Sequence, residues 1–180
     1  LGTVAKIIEE RLEKHFNYRH VQIRISTDVI PLVVPPSDSG SSEFAQMKAK
    51  MDDGDKAREL ANDNAVLALG AAAIIAEKRK QECGSPQRLP RHAYTIRSLK
   101  RPEEVNQLRA IYPGGFYLIG VHCDPERRQN YLKKSRNLSD DEADLLMRRD
   151  ERDDNPYGQR TGKPLSCPIS SSALTGTMTG

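Results

Sequence analysis

Apolar residues recur at helical spacing from the start of the chain. Val4, Ile7, Ile8, Leu12 and Phe16 share one face and Thr3 can cap it, so residues 3–16 read as an amphipathic helix. Val21-Gln22-Ile23-Arg24-Ile25 alternates apolar with polar and is rich in β-branched residues, the pattern of a strand. Pro31, Pro35, Pro36 and the run Ser37 to Ser42 predict a flexible loop. A short helix follows over 43–51, and Asp52-Asp53-Gly54-Asp55 breaks it. Lys56 to about Glu82 reads as one long helix, apolar on most faces from Ala65 to Ala76 and therefore largely buried; Gly84 to Pro90 ends it. Ala93 to Ile96 is a short strand. Pro102 suits a first helical turn, Glu103 and Glu104 suit the positive end of its dipole, and Pro113-Gly114-Gly115 ends that helix. Phe116 to Val121 is apolar throughout, as in a strand covered on both faces. Asp124-Pro125 opens another helix, and the capping box Ser139-x-x-Glu142 opens one more, to about Arg149.

Strands alternating with helices predict an α/β layered fold with a parallel sheet. Three strands are visible, few for such a sheet. From Lys163 onward Ser, Thr, Gly and Pro dominate without periodicity, so residues 163–180 read as a disordered tail after a domain over 1–162.

Composition narrows the classes. The chain has 180 residues, 37% of them apolar, which predicts one domain with a small core. The longest mostly apolar run falls well short of the roughly 20 residues that cross a membrane. No segment has the form of a secretory signal. A net charge of +3, spread over both signs, is too weak to imply nucleic-acid binding. Cys83, Cys123 and Cys167 form no Cys-x-x-Cys pair, and their odd number suits a reducing, cytoplasmic compartment.

Several local patterns invite chemistry. Gly158 to Lys163 looks like a phosphate loop but has one residue too few between its glycines, and Pro164 stands where Ser or Thr is needed. Arg127, Arg128, Lys133, Lys134, Arg136, Arg148, Arg149 and Arg152 lie on two helices joined by a loop. Guanidinium groups clamp phosphates, so this set fits the lid of a nucleotide kinase; interleaved acids such as Asp140, Asp144 and Asp150 also fit an ordinary solvated face. His15, His20, His92 and His122 show neither His-x-Glu nor His-x-x-x-His spacing. Asp153 to Gln159 marks a tight turn.

Two stretches carry a resemblance. Arg97-Ser98-Leu99-Lys100-Arg101-Pro102-Glu103-Glu104-Val105, followed by Phe116 to Val121, resembles the third and fourth strands of a P-loop nucleotide kinase. Arg149-Asp150-Glu151 with Asp154-Asn155-Pro156-Tyr157-Gly158-Gln159 resembles the end of the N-terminal domain of bacterial anti-phage deoxycytidylate deaminases. That family joins a P-loop kinase-like domain to a zinc cytidine-deaminase domain. The resemblance spans residues 1–162.

It implies a three-layer kinase-like domain lacking its first strand and phosphate loop, with Leu1-Gly2-Thr3 as the loop's trailing edge and with marginal stability alone. The implied function is the nucleotide-binding, regulatory part of an antiviral enzyme that deaminates dCTP or dCMP. The implied nucleotide-binding residues are Gly2, Thr3, Arg97, Arg148, Arg149 and Arg152. The implied ligand is a nucleotide triphosphate with Mg; zinc belongs to the family's deaminase domain, whose His-x-Glu and Pro-Cys-x-x-Cys motifs have no counterpart in this sequence. A homo-oligomer and a regulatory RNA are further implied partners, and no membrane is. The change in character near Lys163 is one a frameshift or early stop would leave. Two other readings stand beside this one: a fragment of a nucleoside monophosphate kinase, and a non-catalytic RNA- or protein-binding module.

Overall fold

The structure, a computed structural model, describes residues 2–151, 154–159 and 161. It opens with α1 (Gly2–Lys14). Asn17, in the left-handed region, turns the chain back, and β1 (Arg19–Arg24) follows. A π turn (Ile25–Val29) and the short α2 (Ile30–Val33) lead into a loop. Then come α3 (Glu43–Ala61), α4 (Val66–Cys83), β2 (His92–Arg97), α5 (Pro102–Ile111), α6 (Pro125–Arg136) and α7 (Asp140–Glu151).

Among the described residues the sheet is β1 paired in parallel with β2, from Arg19 opposite His92 to Arg24 opposite Arg97. The mixed α/β class and the parallel pairing match the sequence pattern. Side chains alternate across a strand, so the pair has two unlike faces. Ile23, with Tyr94 and Ile96, joins the main core, which also holds Ile25, Val29, Ile30, Ala57, Leu67, Ala71 and Ile75. His20, Gln22, Arg24, Thr95 and Arg97 occupy the opposite, polar face. A second core gathers Leu132, Leu138, Ala143 and Leu146 under Phe44, Met47 and Met51 of α3.

Four expectations are corrected. Phe116 to Val121 is not a strand: it is irregular, and Tyr117 is 81% and Ile119 59% exposed. An apolar run supplies the composition of a buried strand, but a strand exists only by pairing, and neither β1 nor β2 pairs with it. Second, Asp52-Asp53-Gly54-Asp55 does not break a helix; α3 runs through it. Each acid there has a partner: Asp52 bonds Lys48 and Arg149, Asp53 accepts from the Ser37 N–H and hydroxyl, and Asp55 pairs with Arg58 and Arg149. Gly54 is where α3 meets α2, since a Cβ there would stand 3.3 Å from Ile30 Cδ1. Third, the helix read over 56–82 is two helices bent by 92°, divided where Asn62 adopts the left-handed conformation that Asn tolerates. Fourth, the loop expected from Pro31 onward begins only at Val34, because Pro31 sits in the first turn of α2, where its missing N–H costs nothing.

Local signals fared better. Asp124 accepts from the N–H groups of Glu126 and Arg127 at 3.0 and 3.3 Å, with Pro125 in the first turn of α6. The Ser139–Glu142 box closes in both directions, at 3.3 and 2.8 Å. Among the described residues no single helix is long and apolar enough to cross a membrane. The tail, residues 163–180, lies outside the described residues.

Candidate functional site

The polar face of the sheet ends in two arginines. Parallel register sets Arg24 beside Arg97 at the carboxyl ends of adjacent strands, and the period of two puts Gln22 on the same face. Arg24 Nε donates to Gln22 Oε1 at 2.8 Å and Arg97 Nη1 donates to the same oxygen at 3.1 Å. Two guanidinium groups thus converge on one neutral acceptor. Among the described residues neither forms an ion pair with a carboxylate. Asp28, the closest acid along the chain, is otherwise engaged: it accepts the backbone N–H of Arg24 at 2.8 Å and the hydroxyl of Thr27 at 2.8 Å. Directly after Arg97 the chain turns sharply, with Ser98 at φ 72°.

Helix α1 lies against β1 and runs opposite to it, with Glu9 facing His20. From that level the helix rises about 10 Å to Gly2, and β1 advances about 13 Å to Arg24. The amino end of α1, with exposed Gly2 and Thr3, therefore points toward the end of the sheet that carries the arginine pair. Of the residues expected to hold phosphate, Arg97 lies at this end of the sheet, and Gly2 and Thr3 begin the helix that points toward it. Arg24 and Gln22 escaped the sequence reading; their signal was strand alternation with Arg97 in register, which requires knowing that β1 and β2 pair.

The arginines of α7 are used differently. Arg149 binds Asp52 at 2.6 Å and Asp55 at 2.7 Å, bridging α7 to α3. Arg148 is exposed, and Arg152 lies outside the described residues. Arg128 and Lys100 both bind Asp150. Burial pushes the Asp150 carboxyl up, but these two cations outweigh it and hold the group below the usual carboxylate range. Asp52 shows the same balance: burial raises it, and the bonds from Arg149 and Lys48 bring it lower. Four of the seven expected lid cations within α6 and α7, namely Arg128, Lys133, Arg136 and Arg149, thus pair with acids.

Behind them lies a buried ionic network. Arg58 donates from Nη2 to Glu104 Oε1 at 2.8 Å and from Nη1 to the Tyr157 carbonyl at 3.4 Å. Glu104 Oε2 accepts the N–H groups of Lys100 and Arg101 at 2.6 and 3.1 Å, capping α5. Arg101 Nη1 donates to the carbonyls of Pro156 and Gly158 at 2.8 and 2.6 Å. The turn from Asp154 to Gln159 is therefore a docked backbone hairpin held by arginines of α3 and of the segment before α5. Tyr157 adds a bond from its hydroxyl to Asn62 Oδ1 at 2.7 Å. Gly158 takes part in this docking through its carbonyl.

The chain matches no protein-family model, no curated protein and no solved structure.

Proposed function

We propose that this chain is a nucleotide-binding domain that grips phosphate between Arg24 and Arg97 at the carboxyl end of its parallel strands. The observation that carries the proposal is the convergence of two guanidinium groups on Gln22 Oε1 without a carboxylate between them. Like charges brought together cost free energy unless an anion offsets them, and paired N–H donors match phosphate oxygens. Ligands of open α/β sheets bind at this end of the strands, and a helix amino end there adds N–H donors and positive potential.

The proposal extends to family. The parallel pair is read as part of a P-loop kinase-like sheet, and the chain as the regulatory, nucleotide-binding part of a deoxycytidylate deaminase acting against phage in the cytoplasm. Deamination and its zinc then belong to sequence outside these 180 residues. Support comes from the stretch 154–159, on which the resemblance rests, being built into the fold by Arg58 and Arg101. Exposed thiols at Cys83 and Cys123 fit a reducing compartment.

Calorimetric titration of the chain with dCTP, dCMP, ATP and inorganic phosphate tests the reading. Binding that weakens with added salt and falls on the order of ten- to a hundredfold in Arg24→Ala and in Arg97→Ala is expected. Affinity unchanged in both variants, or no binding of any of the four, overturns it. A preference for deoxycytidine nucleotides supports the family assignment; a preference for ATP alone removes it while leaving the phosphate grip.

A further inference from the structure

The other end of the same polar face carries a second feature. Glu9 and Glu13 are four residues apart on α1 and so stand one above the other. His20, at the start of β1, faces them. One ligand atom from each of the three lies within 4.8 Å of those of the other two.

The imidazole is the decisive member. Its side chain is 1% exposed, enclosed between α1 and the sheet. Nε2 is bonded to Thr95 Oγ1, 2.6 Å away on the adjacent strand. Nδ1 stands 3.8 Å from Glu9 Oε1, beyond hydrogen-bond reach. An imidazole enclosed this far and oriented by Thr95, with its second nitrogen on the Glu9 side, completes with the two carboxylates a donor set that suits a cation. No Lys or Arg among the described residues supplies it, since Glu9 has only His20 as an ion partner and Glu13 has none. Carboxylates at this helical spacing repel each other, and a cation between them offsets that cost.

We propose that Glu9, Glu13 and His20 bind a divalent transition-metal ion. With Thr95 Oγ1 accepting from Nε2–H, the Nδ1 lone pair points at the ion. Such an outer hydrogen bond fixes tautomer and ring orientation at histidine ligands. Imidazole with carboxylate suits zinc and its neighbours rather than magnesium or calcium, which take oxygen ligands. With bonds of about 2.1 Å, tetrahedral ligands stand about 3.4 Å apart. The carboxylates reach that by closing little more than 1 Å on flexible stems, and Glu9 is 42% exposed and free to move. Two carboxylates and one imidazole leave a coordination position open to water. The set differs in ligand type and spacing from the histidine–cysteine motifs of cytidine deaminases. Bound there, the ion ties α1, which buries only Ala5, to the sheet.

Titrating the chain with zinc chloride by calorimetry, alongside thermal melts, tests the site. One ion per chain at micromolar or tighter affinity is expected, with a melting temperature raised by zinc. Removing His20 risks the fold, so the main variant is Glu9→Gln/Glu13→Gln, on the more open side of the site; it should bind at least tenfold more weakly and lose the zinc-induced shift. Thr95→Val should weaken binding about ten- to a hundredfold through His20 alone. His92→Gln, which removes the only other His–carboxylate pair among the described residues, should change nothing. Absence of binding at 1 mM zinc, or equal affinity in the double variant, overturns the proposal.

Discussion

Arg58 and Glu104 meet across 46 residues of chain, with Nη2 2.8 Å from Oε1 and with 2% and 0% of their side chains exposed. A charge this deep is costly unless it is answered. Breaking the pair from one side therefore differs from breaking it from the other. Among the described residues Glu104 has no ion-pair cation besides Arg58, whereas Arg58 retains Asp55 at 3.4 Å and the Tyr157 carbonyl.

Arg58→Met should accordingly destabilise the protein by about 3–5 kcal/mol, the range for stranding a buried charge. Glu104→Gln should cost less, because Gln still accepts backbone N–H groups at the start of α5 and Arg58 keeps its other partners. Urea unfolding of both variants measures the asymmetry. Equal losses would mean that the pair, rather than the stranded carboxylate, dominates.

Acid should loosen the protein at Asp150. Its carboxyl is held below the ordinary value of 3.8 by Lys100 and Arg128 acting against burial. A group depressed in the folded state adds stability that is fully present above its unfolded pKa and is lost as pH falls through the folded one. Unfolding free energy should thus be flat near neutrality and decline below about pH 4 as Asp150 takes up a proton. Asp150→Asn should lower stability at pH 7 and flatten the acid limb, leaving a smaller slope from Asp52, which is depressed in the same direction. Urea titrations between pH 3 and 7 compare the two proteins. An unchanged acid limb in Asp150→Asn would remove Asp150 as its source.

What the sequence disclosed and what it hid follow one physical division. The caps at Asp124 and Ser139 act within three residues, so spacing alone reveals them. The strands β1 and β2 were legible by alternation and β-branched content. The unbroken course of α3 through Asp52-Asp53-Gly54-Asp55 was not, because it depends on Ser37 and Arg149, far along the chain. Arg58, Glu104 and Arg101 were likewise invisible as a unit: their bonds span 46 to 57 residues. The same holds for the candidate site. Arg97 was picked out, but Arg24 and Gln22 join it only through the parallel register, and His20 meets Glu9 only because α1 folds back on β1.

Gly70 should resist substitution although it lies inside α4. Ala is favoured over Gly in a helix interior by about 1 kcal/mol. A Cβ at Gly70, however, would stand 2.5 Å from Val29 Cγ1, a branched side chain fixed in the core. The clash should outweigh the propensity gain, and Gly70→Ala should destabilise by about 1–3 kcal/mol. Gly54→Ala is the comparison: its Cβ would meet the terminal Cδ1 of Ile30 at 3.3 Å, an atom that can yield. Melts of the two variants should therefore rank Gly70→Ala well below Gly54→Ala, and the reverse order would show that α4 can shift away from the π turn.

The segment from Phe116 to Val121 gives the sharpest test of the fold. Its composition is that of a strand covered on both faces, and in the structure Ile119 is 59% exposed. The two descriptions predict opposite outcomes for one substitution. If Ile119 faced a core, Ile119→Lys would bury an unpaired charge and unfold a small domain. In the exposed position it should change unfolding free energy by no more than about 0.5 kcal/mol, as ordinary surface substitutions do. Ile23→Ala, at the fully buried position of strand β1, provides the contrast at about 2–5 kcal/mol. The lysine should have a second effect. Phe116 to Val121 is a run of unpaired, apolar, β-prone residues, the type of segment through which chains aggregate, and a charge within it interrupts that pairing. Light scattering on heating should therefore begin at a higher temperature in Ile119→Lys than in the parent chain while the cooperative unfolding midpoint stays in place; a midpoint that drops by many degrees would return the segment to the core.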